Sequence, residues 1–197
     1  MTTRDDKRLL RARMKTVLNG LSPDAVREKS SLITGRLFAT SWWNEADTVL
    51  AFCSMPREVD TGALLAGAME QLKTTAIPRI HGEDLIFHLL RRLDADLAVG
   101  PLHLREPRPD WPVLDIGEPR NGSILIVTPG LVFDRRLNRL GRGKGFYDRF
   151  LKNARMRAAG ALHAVGVCFS EQLIDTVPAG DHDLPVDGII TENETLR

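Results

Sequence analysis

The sequence predicts a three-layer α/β/α sandwich with a mostly parallel central sheet, a Rossmann-like arrangement. Two observations carry this. Short apolar runs of strand length, DTVLAFCS, ILIVT and AVGVCF, alternate with segments whose apolar residues recur at helical spacing. That alternation is the pattern of parallel strands joined by helical crossovers. A third observation sets the domain count: no repeat, low-complexity tract or linker divides the 197 residues, so residues 1–197 read as a single domain.

The elements follow in order. Asp5 to Leu18 form a charged amphipathic helix with Leu9, Leu10, Met14, Val17 and Leu18 on its apolar side. Ser22-Pro23-Asp24 supplies an N-cap and first turn for a second helix reaching about Thr40. Trp42 and Trp43 belong to a helix–sheet junction. Asp47 to Ser54 is a buried strand, followed by a loop and a helix from Gly62 to Leu72 with Asp60 or Thr61 as cap. Thr74 to Ile80 is a strand bent or ended by Pro78, and Leu85 to Leu90 a third, in which His88 is a packed residue. Leu97 to Glu118, rich in proline and glycine, reads as an ordered surface excursion where Trp111 and Pro112 line a pocket. Ile124 to Val127, Ala161 to Phe169 and Gly188 to Thr191 are the remaining strands, with Gln172 to Val177 a short turn or helix.

Composition excludes several classes. Hydrophobic residues at 43% and charged residues at 27% are ordinary for a globular chain, and a net charge of +1 gives no global attraction to nucleic acid or membrane. The N-terminus MTTRDDKRLLRARMK is charged where a signal peptide is apolar, and no apolar run is long enough to span a bilayer. Two cysteines, Cys53 and Cys168, sit within apolar strands, as free thiols of a reducing compartment do. The expectation is a cytoplasmic protein, monomeric, with no nucleic-acid or membrane partner.

The chemistry concentrates in Ile124 to Leu151. A strand ends at Thr128-Pro129-Gly130, and a loop follows with alternate glycines, Gly141, Gly143 and Gly145, around Arg142 and Lys144; helical spacing then resumes at Phe146 and Tyr147. Strand, glycine-rich basic loop and helix are the parts of a phosphate cradle, since glycines expose backbone N–H groups and the helix N-terminus adds positive potential. The spacing matches neither GxxxxGK[ST] nor GxGxxG. Charge supports anion binding: Arg135 to Arg157 holds nine Lys or Arg and one acid, so the rest of the chain is net −7. Lys152, Arg155 and Arg157 suit a solvated helix face.

Acids near the loop are few. Asp148, in the first turn of the following helix, can pair with Lys152 at i, i+4 or hold the Mg²⁺ that accompanies phosphates. Asp183 is a candidate second carboxylate, with Asp181, His182 and Asp187 as rivals. Glu58, beyond the C-terminal end of the first strand, lies where α/β sheets bind ligands and has no evident structural partner. Lys7 and Arg11, four apart on the first helix, read by themselves as solvated surface. No HExxH, Cys/His cluster, nucleophile elbow or Ser/His/Asp set is present. The residues alone define a Mg-nucleotide-dependent enzyme with its reaction open.

RLGRGKGFYDRFL preceded by PGLVFD closely resembles the most characteristic motif of the 5-formyltetrahydrofolate cyclo-ligase family, also called methenyltetrahydrofolate synthetase. The resemblance runs along nearly the whole chain in order: KRLLR, FCSMPREVDT, REP at Arg105 to Pro107, GVCFSEQ and VPAGDHDLPVD. It implies conversion of 5-formyltetrahydrofolate, the small-molecule substrate, to 5,10-methenyltetrahydrofolate with hydrolysis of ATP to ADP and phosphate and with Mg²⁺. It further implies that Lys7 and Arg11 reach the ATP phosphates. Arg139, Leu140, Gly141, Arg142, Gly143, Lys144, Gly145, Phe146 and Tyr147 would form the nucleotide loop, with Arg142 and Lys144 catalytic. Asp148 and Asp183 would bind the metal, Glu58 would contact folate and act in catalysis, and Tyr147 would also touch the substrate. Phe146 stands where the family often has Tyr, and Arg135-Arg136-Leu137-Asn138 replaces a Gly-rich segment, so the local turn is expected to differ. A nucleic-acid-binding module using residues 135–157, and a phosphosugar isomerase or CoA-transferase relative without ATP, are the competing readings.

Overall fold

The uncharged strand runs become the middle of a seven-stranded sheet. The computed structural model describes residues 3–92, 97–99, 105–158, 160–180 and 183–197. The helices are α1 (Thr3–Asn19), α2 (Pro23–Phe38), α3 (Ser41–Glu45), α4 (Gly62–Glu70) and α5 (Phe146–Arg157). The strands are β1 (Thr48–Ala51), β2 (Thr74–His81), β3 (Asp84–Leu89), β4 (Leu97–Val99), β5 (Arg105–Pro107), β6 (Ile124–Thr128), β7 (Val132–Asp134), β8 (Arg139–Leu140), β9 (Leu162–Val167), β10 (Leu173–Ile174), β11 (Gly188–Ile190) and β12 (Thr195–Leu196). The main sheet has the order β12-β11-β9-β6-β1-β2-β3. Pairs from β11 through β2 are parallel, while β12 and β3 close the two edges antiparallel.

Strand alternation divides the core into two layers. Val49 and Ala51 of β1, with Leu125, Val127, Val165 and Val167, face Met14 and Leu18 of α1, Ile33 and Leu37 of α2, and Leu64, Leu65 and Ala68 of α4. Leu50, Ile124, Ile126 and Ala164 face the other way, onto Leu151 and Ala154 of α5 and onto Leu114 and Ile116. Helices therefore cover both faces, as the α/β/α reading requires. The helix starts follow local chemistry. Ser22 accepts from the Ala25 amide at 3.1 Å with Pro23 in the first turn. Thr40 accepts from the Trp43 amide at 3.2 Å and opens α3, which seats Trp43 in the core with its indole N–H on Gln71 Oε1 at 3.0 Å. Asp60 caps α4 through the Gly62 amide, whereas the Thr61 hydroxyl donates to the Phe52 carbonyl.

Three expectations need correction. β2 does not stop at Pro78. It pairs with β1 only from Thr74 to Ala76, so Pro78 lies past that ladder and pairs with Phe87 of β3 alone. The segment 130–145 is not one loop. β7 and β8 form a hairpin closed by Asp134, whose carboxylate accepts from the Arg136 and Asn138 amides, the Asn138 side chain and the Val177 amide at 2.9–3.0 Å. Leu137 takes the left-handed conformation (φ 66) that the turn needs and that glycine adopts more easily. Residues 172–177 are neither helix nor plain turn: a 3₁₀ turn, Ser170–Gln172, leads into β10, which pairs with β7.

The hairpin is locked to the sheet by Phe133. A Cβ added at Gly130 or Gly166 would lie 2.6 or 2.4 Å from its ring, so both positions must lack a side chain for Phe133 to pack. Cys53 and Cys168 form no disulfide with each other; Cys168 is buried, whereas Cys53, just past the end of β1, is half-buried.

α2 is tied to the C-terminal segments by an ionic cluster. Lys29 Nζ is 2.6 Å from both Glu171 Oε1 and Glu192 Oε1, and Glu192 also accepts from the Ser170 amide and hydroxyl. Burial pushes the Glu192 carboxyl up, but Lys29 and Ser170 outweigh it and hold it below its ordinary 4.5. A depressed carboxyl stabilises the fold fully above its unfolded value and loses that contribution as pH falls through the folded one. Resistance of the protein to urea should therefore fall as pH drops below about 4.5, and Glu192→Gln should remove about 1–2 kcal/mol at pH 7 and flatten that acid limb, given Lys29's partial exposure.

Candidate active site

A cavity of about 370 Å³ opens at the C-terminal ends of the central strands. Phe52 and Cys53 enter from the end of β1, Pro129 and Gly130 from the end of β6, and Pro78 and Ile80 from the outer half of β2. This is the edge where open α/β sheets bind ligands. Leu85 and Glu106 complete one side, while Gly141, Arg142, Lys144, Gly145, Phe146, Tyr147 and Asp148 form the other. One half is therefore largely apolar and the other cationic.

The glycine loop is shaped for close approach. Gly143 (φ 107) and Gly145 (φ 68) occupy conformations that L side chains rarely adopt, and Gly145 leads directly into α5. Lys144 and Arg142 are exposed on the loop. α1 supports it from outside: Arg11 Nε donates to the Gly141 carbonyl at 2.9 Å, and a Cβ at Gly143 would meet the Arg11 guanidinium at 3.5 Å. Lys7, one turn earlier, makes an ion pair with Asp183. The solvated-surface reading of Lys7 and Arg11 is thus wrong, since Arg11 turns to the glycine loop and Lys7 to Asp183.

Asp148 does not pair with Lys152. Its Oδ1 accepts from Arg139 Nη2 at 2.8 Å and from the Leu184 amide at 3.2 Å, so the residue after Asp183 is pinned to the first turn of α5. Asp183 Oδ2 accepts from Lys7 and from the Gly180 amide at 2.7 Å. Burial drives the Asp183 carboxyl up, yet Lys7, that amide and the charge of Arg139 more than reverse it, leaving Asp183 ionised below the ordinary carboxylate range. These bonds engage one oxygen of each carboxylate. Among the described residues no group of three or more His, Cys, Asp or Glu could hold a metal ion. Asp148 and Asp183, brought near each other by the Leu184 amide bond, are the carboxylates that could serve a Mg²⁺ taking its other ligands from phosphate oxygens and water. Asp181 and His182 lie outside the described residues. Asp187 is structural, accepting from the Ala164 amide at 2.7 Å and from Arg155.

Glu58 does have partners. Its Oε2 accepts from the Met55 amide at 3.0 Å and its Oε1 from Arg142 Nη2 at 2.8 Å, so the strand-end acid and the loop arginine hold each other across the cavity mouth. Arg139 is buried on β8 beneath the loop rather than displayed among the glycines, and burial lowers its proton affinity against the opposing pull of Asp148. The Leu140 side chain is in the core, so only its backbone is available to a ligand, and its carbonyl already accepts from Leu131. Trp111 packs against the core near His88, whose Nδ1 meets the Trp111 carbonyl at 2.9 Å, and it does not line the cavity.

Three buried side-chain atoms among the described residues have no hydrogen-bond partner: Glu106 Oε2, Arg139 Nε and the Tyr147 hydroxyl. All three residues line this one cavity. Burial pushes the Tyr147 hydroxyl well above its ordinary value, reinforced by Glu58, so it remains protonated and able to donate. Unpaired polar atoms gathered in an apolar pocket are what a ligand with complementary groups would satisfy. Sequence reasoning assigned no role to Glu106 or to the apolar wall of Cys53, Met55, Pro78, Ile80 and Leu85. The REP segment was the available signal.

Fold and site together define an α/β enzyme with a small-molecule pocket at the sheet's carboxyl edge. Residues 3–192 match the model of the 5-formyltetrahydrofolate cyclo-ligase family. The 5-formyltetrahydrofolate cyclo-ligase of Mus musculus is 30% identical over 201 residues, covering 98% of this chain and 97% of the relative. That of Escherichia coli K12 is 28% identical, covering 88% and 93%. The NMR structure of Aquifex aeolicus 5,10-methenyltetrahydrofolate synthetase superposes with a TM-score of 0.80 at 29% identity, covering 97% of this chain and 92% of that one. The chain belongs to the 5-formyltetrahydrofolate cyclo-ligase family.

Proposed function

We propose that this protein converts 5-formyltetrahydrofolate to 5,10-methenyltetrahydrofolate, consuming ATP with Mg²⁺ and releasing ADP and phosphate through a phosphorylated formyl intermediate. The observation that carries this is a cavity with an apolar half and a cationic glycine loop, joined at its mouth by Glu58 and Arg142. A pterin ring suits the apolar half, and its formyl group would then face the loop.

The formyl oxygen of an amide is a poor leaving group. Transfer of the γ-phosphoryl group to that oxygen breaks the bond to the β-phosphate bridging oxygen and releases ADP. The N10 lone pair then attacks the formyl carbon. The carbon–oxygen bond breaks, phosphate leaves with the former formyl oxygen, and the N10 proton departs to the carboxylate of Glu58. Phosphoryl transfer demands positioning and charge neutralisation more than covalent assistance. Lys144, Arg142, Lys7 and Arg11 supply cations, and the loop amides supply donors to the phosphates. Asp148 and Asp183 would hold Mg²⁺, which neutralises phosphate charge when bound. Residues 1–197 act as one domain in the cytoplasm.

Several cations of the basic stretch are locally matched, which weakens the nucleic-acid reading. Arg135 pairs with Glu194, Arg155 with Asp187 and Arg157 with Asp115. Among the described residues no helix is long and apolar enough to cross a membrane. The direct test is absorbance of the methenyl product from 5-formyltetrahydrofolate. Product should form only with both ATP and Mg²⁺, and formation without ATP, or no formation at all, would refute the proposal.

A further inference from the structure

We infer that Glu106 is the specificity group of the pocket, its buried carboxylate accepting the adjacent donors on the 2-amino and N3–H edge of the pterin ring. This rests on the folate reading above and deepens it. Glu106 is 3% exposed, and its Oε2 has no hydrogen-bond partner. A carboxylate oxygen in that state is costly unless something completes it. The nearby cation does not do so: Arg79 Nη1 is 4.0 Å from Oε2 and donates instead to the Pro107 carbonyl at 2.6 Å. Arg79 thereby fixes the backbone that carries Glu106 while leaving the oxygen unmet. The cavity walls nearby, Pro78, Ile80 and Leu85, contribute no side-chain donor.

The missing partner is therefore a ligand N–H on an otherwise flat, apolar-faced group. Guanidine-like edges, with two parallel donors, match a carboxylate's two acceptors better than any single donor does. A pterin presents that edge at the end of the ring away from the folate tail. Glu58 is a poorer match, because both of its oxygens already accept protein donors beside the cationic loop. The two acids thus divide the substrate, with Glu106 on the recognition edge and Glu58 at the reacting end.

The experiment compares two ligands on two proteins by calorimetry without nucleotide: 5-formyltetrahydrofolate and its 2-desamino analogue, on wild type and on Glu106→Gln. Glu106→Gln should raise the Kd for 5-formyltetrahydrofolate about tenfold or more, since a charged acceptor for two donors is lost. The analogue should bind wild type weakly and bind Glu106→Gln no worse, so the two changes are not additive. The KM for ATP should stay within about twofold, which a merely structural defect would not respect. Equal weakening of both ligands by Glu106→Gln, or no weakening of either, would overturn the inference while leaving the cyclo-ligase reading intact. If Glu106→Gln does not fold, equal affinity of wild type for the two ligands overturns it as well. Wild type that binds neither ligand removes the folate reading and this inference together.

Discussion

Asp148→Asn should lower ATP-dependent turnover by about 100-fold or more while the protein stays folded. The carboxylate has two duties. Its Oδ1 holds the buried Arg139 guanidinium at 2.8 Å and the Leu184 amide at 3.2 Å, so it fixes the loop bearing Asp183 against the start of α5. Its other oxygen is proposed for Mg²⁺. Asparagine keeps the shape and one acceptor, and so keeps much of the first duty. It removes the charge on which a hard cation depends. The signature is a rise of about tenfold or more in half-saturating Mg²⁺, with little change in 5-formyltetrahydrofolate affinity measured without nucleotide. Full activity at ordinary Mg²⁺ would remove Asp148 from the metal site.

Arg142→Ala should cost about 100-fold in kcat and also change how the two substrates communicate. In the structure Arg142 occupies Glu58 Oε1, so the side chain proposed for the phosphates and the acid proposed for folate neutralise each other. ATP that draws Arg142 onto its phosphates would release Glu58 toward the folate. Binding of one substrate then favours the other, and by linkage the effect is mutual. The pair is about half exposed on the arginine side, which limits the coupling to roughly 1 kcal/mol, a factor of about five. A non-hydrolysed ATP analogue should therefore tighten 5-formyltetrahydrofolate binding several-fold in wild type and leave it unchanged in Arg142→Ala. Equal tightening in both proteins would rule out Arg142 as the link.

Much of this was legible because the residues involved follow strong local rules. Long uncharged runs gave β1, β6 and β9, and Ser22-Pro23 gave the start of α2. The glycine loop was legible as a tight basic turn into α5, because glycine alone adopts easily the positive φ found at Gly143 and Gly145. The hairpin β7–β8 was not legible: its strands are two and three residues long, too short for a period, and its turn depends on Asp134 contacts from as far away as Val177. The partners of Asp148, Glu58 and Lys7 were likewise hidden, because residues 9, 84 and 176 positions apart meet only in the folded chain. Glu106 was hidden for another reason. What marks it is an unmet carboxylate oxygen inside an apolar wall, a property of three-dimensional surroundings that spacing cannot express.

The central claim is that ATP activates the formyl oxygen, and oxygen tracing tests it most directly. 5-Formyltetrahydrofolate labelled with ¹⁸O in the formyl group is converted with unlabelled ATP and Mg²⁺, and the phosphate released is analysed by mass. The account predicts that each phosphate carries one labelled oxygen. Unlabelled phosphate beside normal methenyl formation would contradict it.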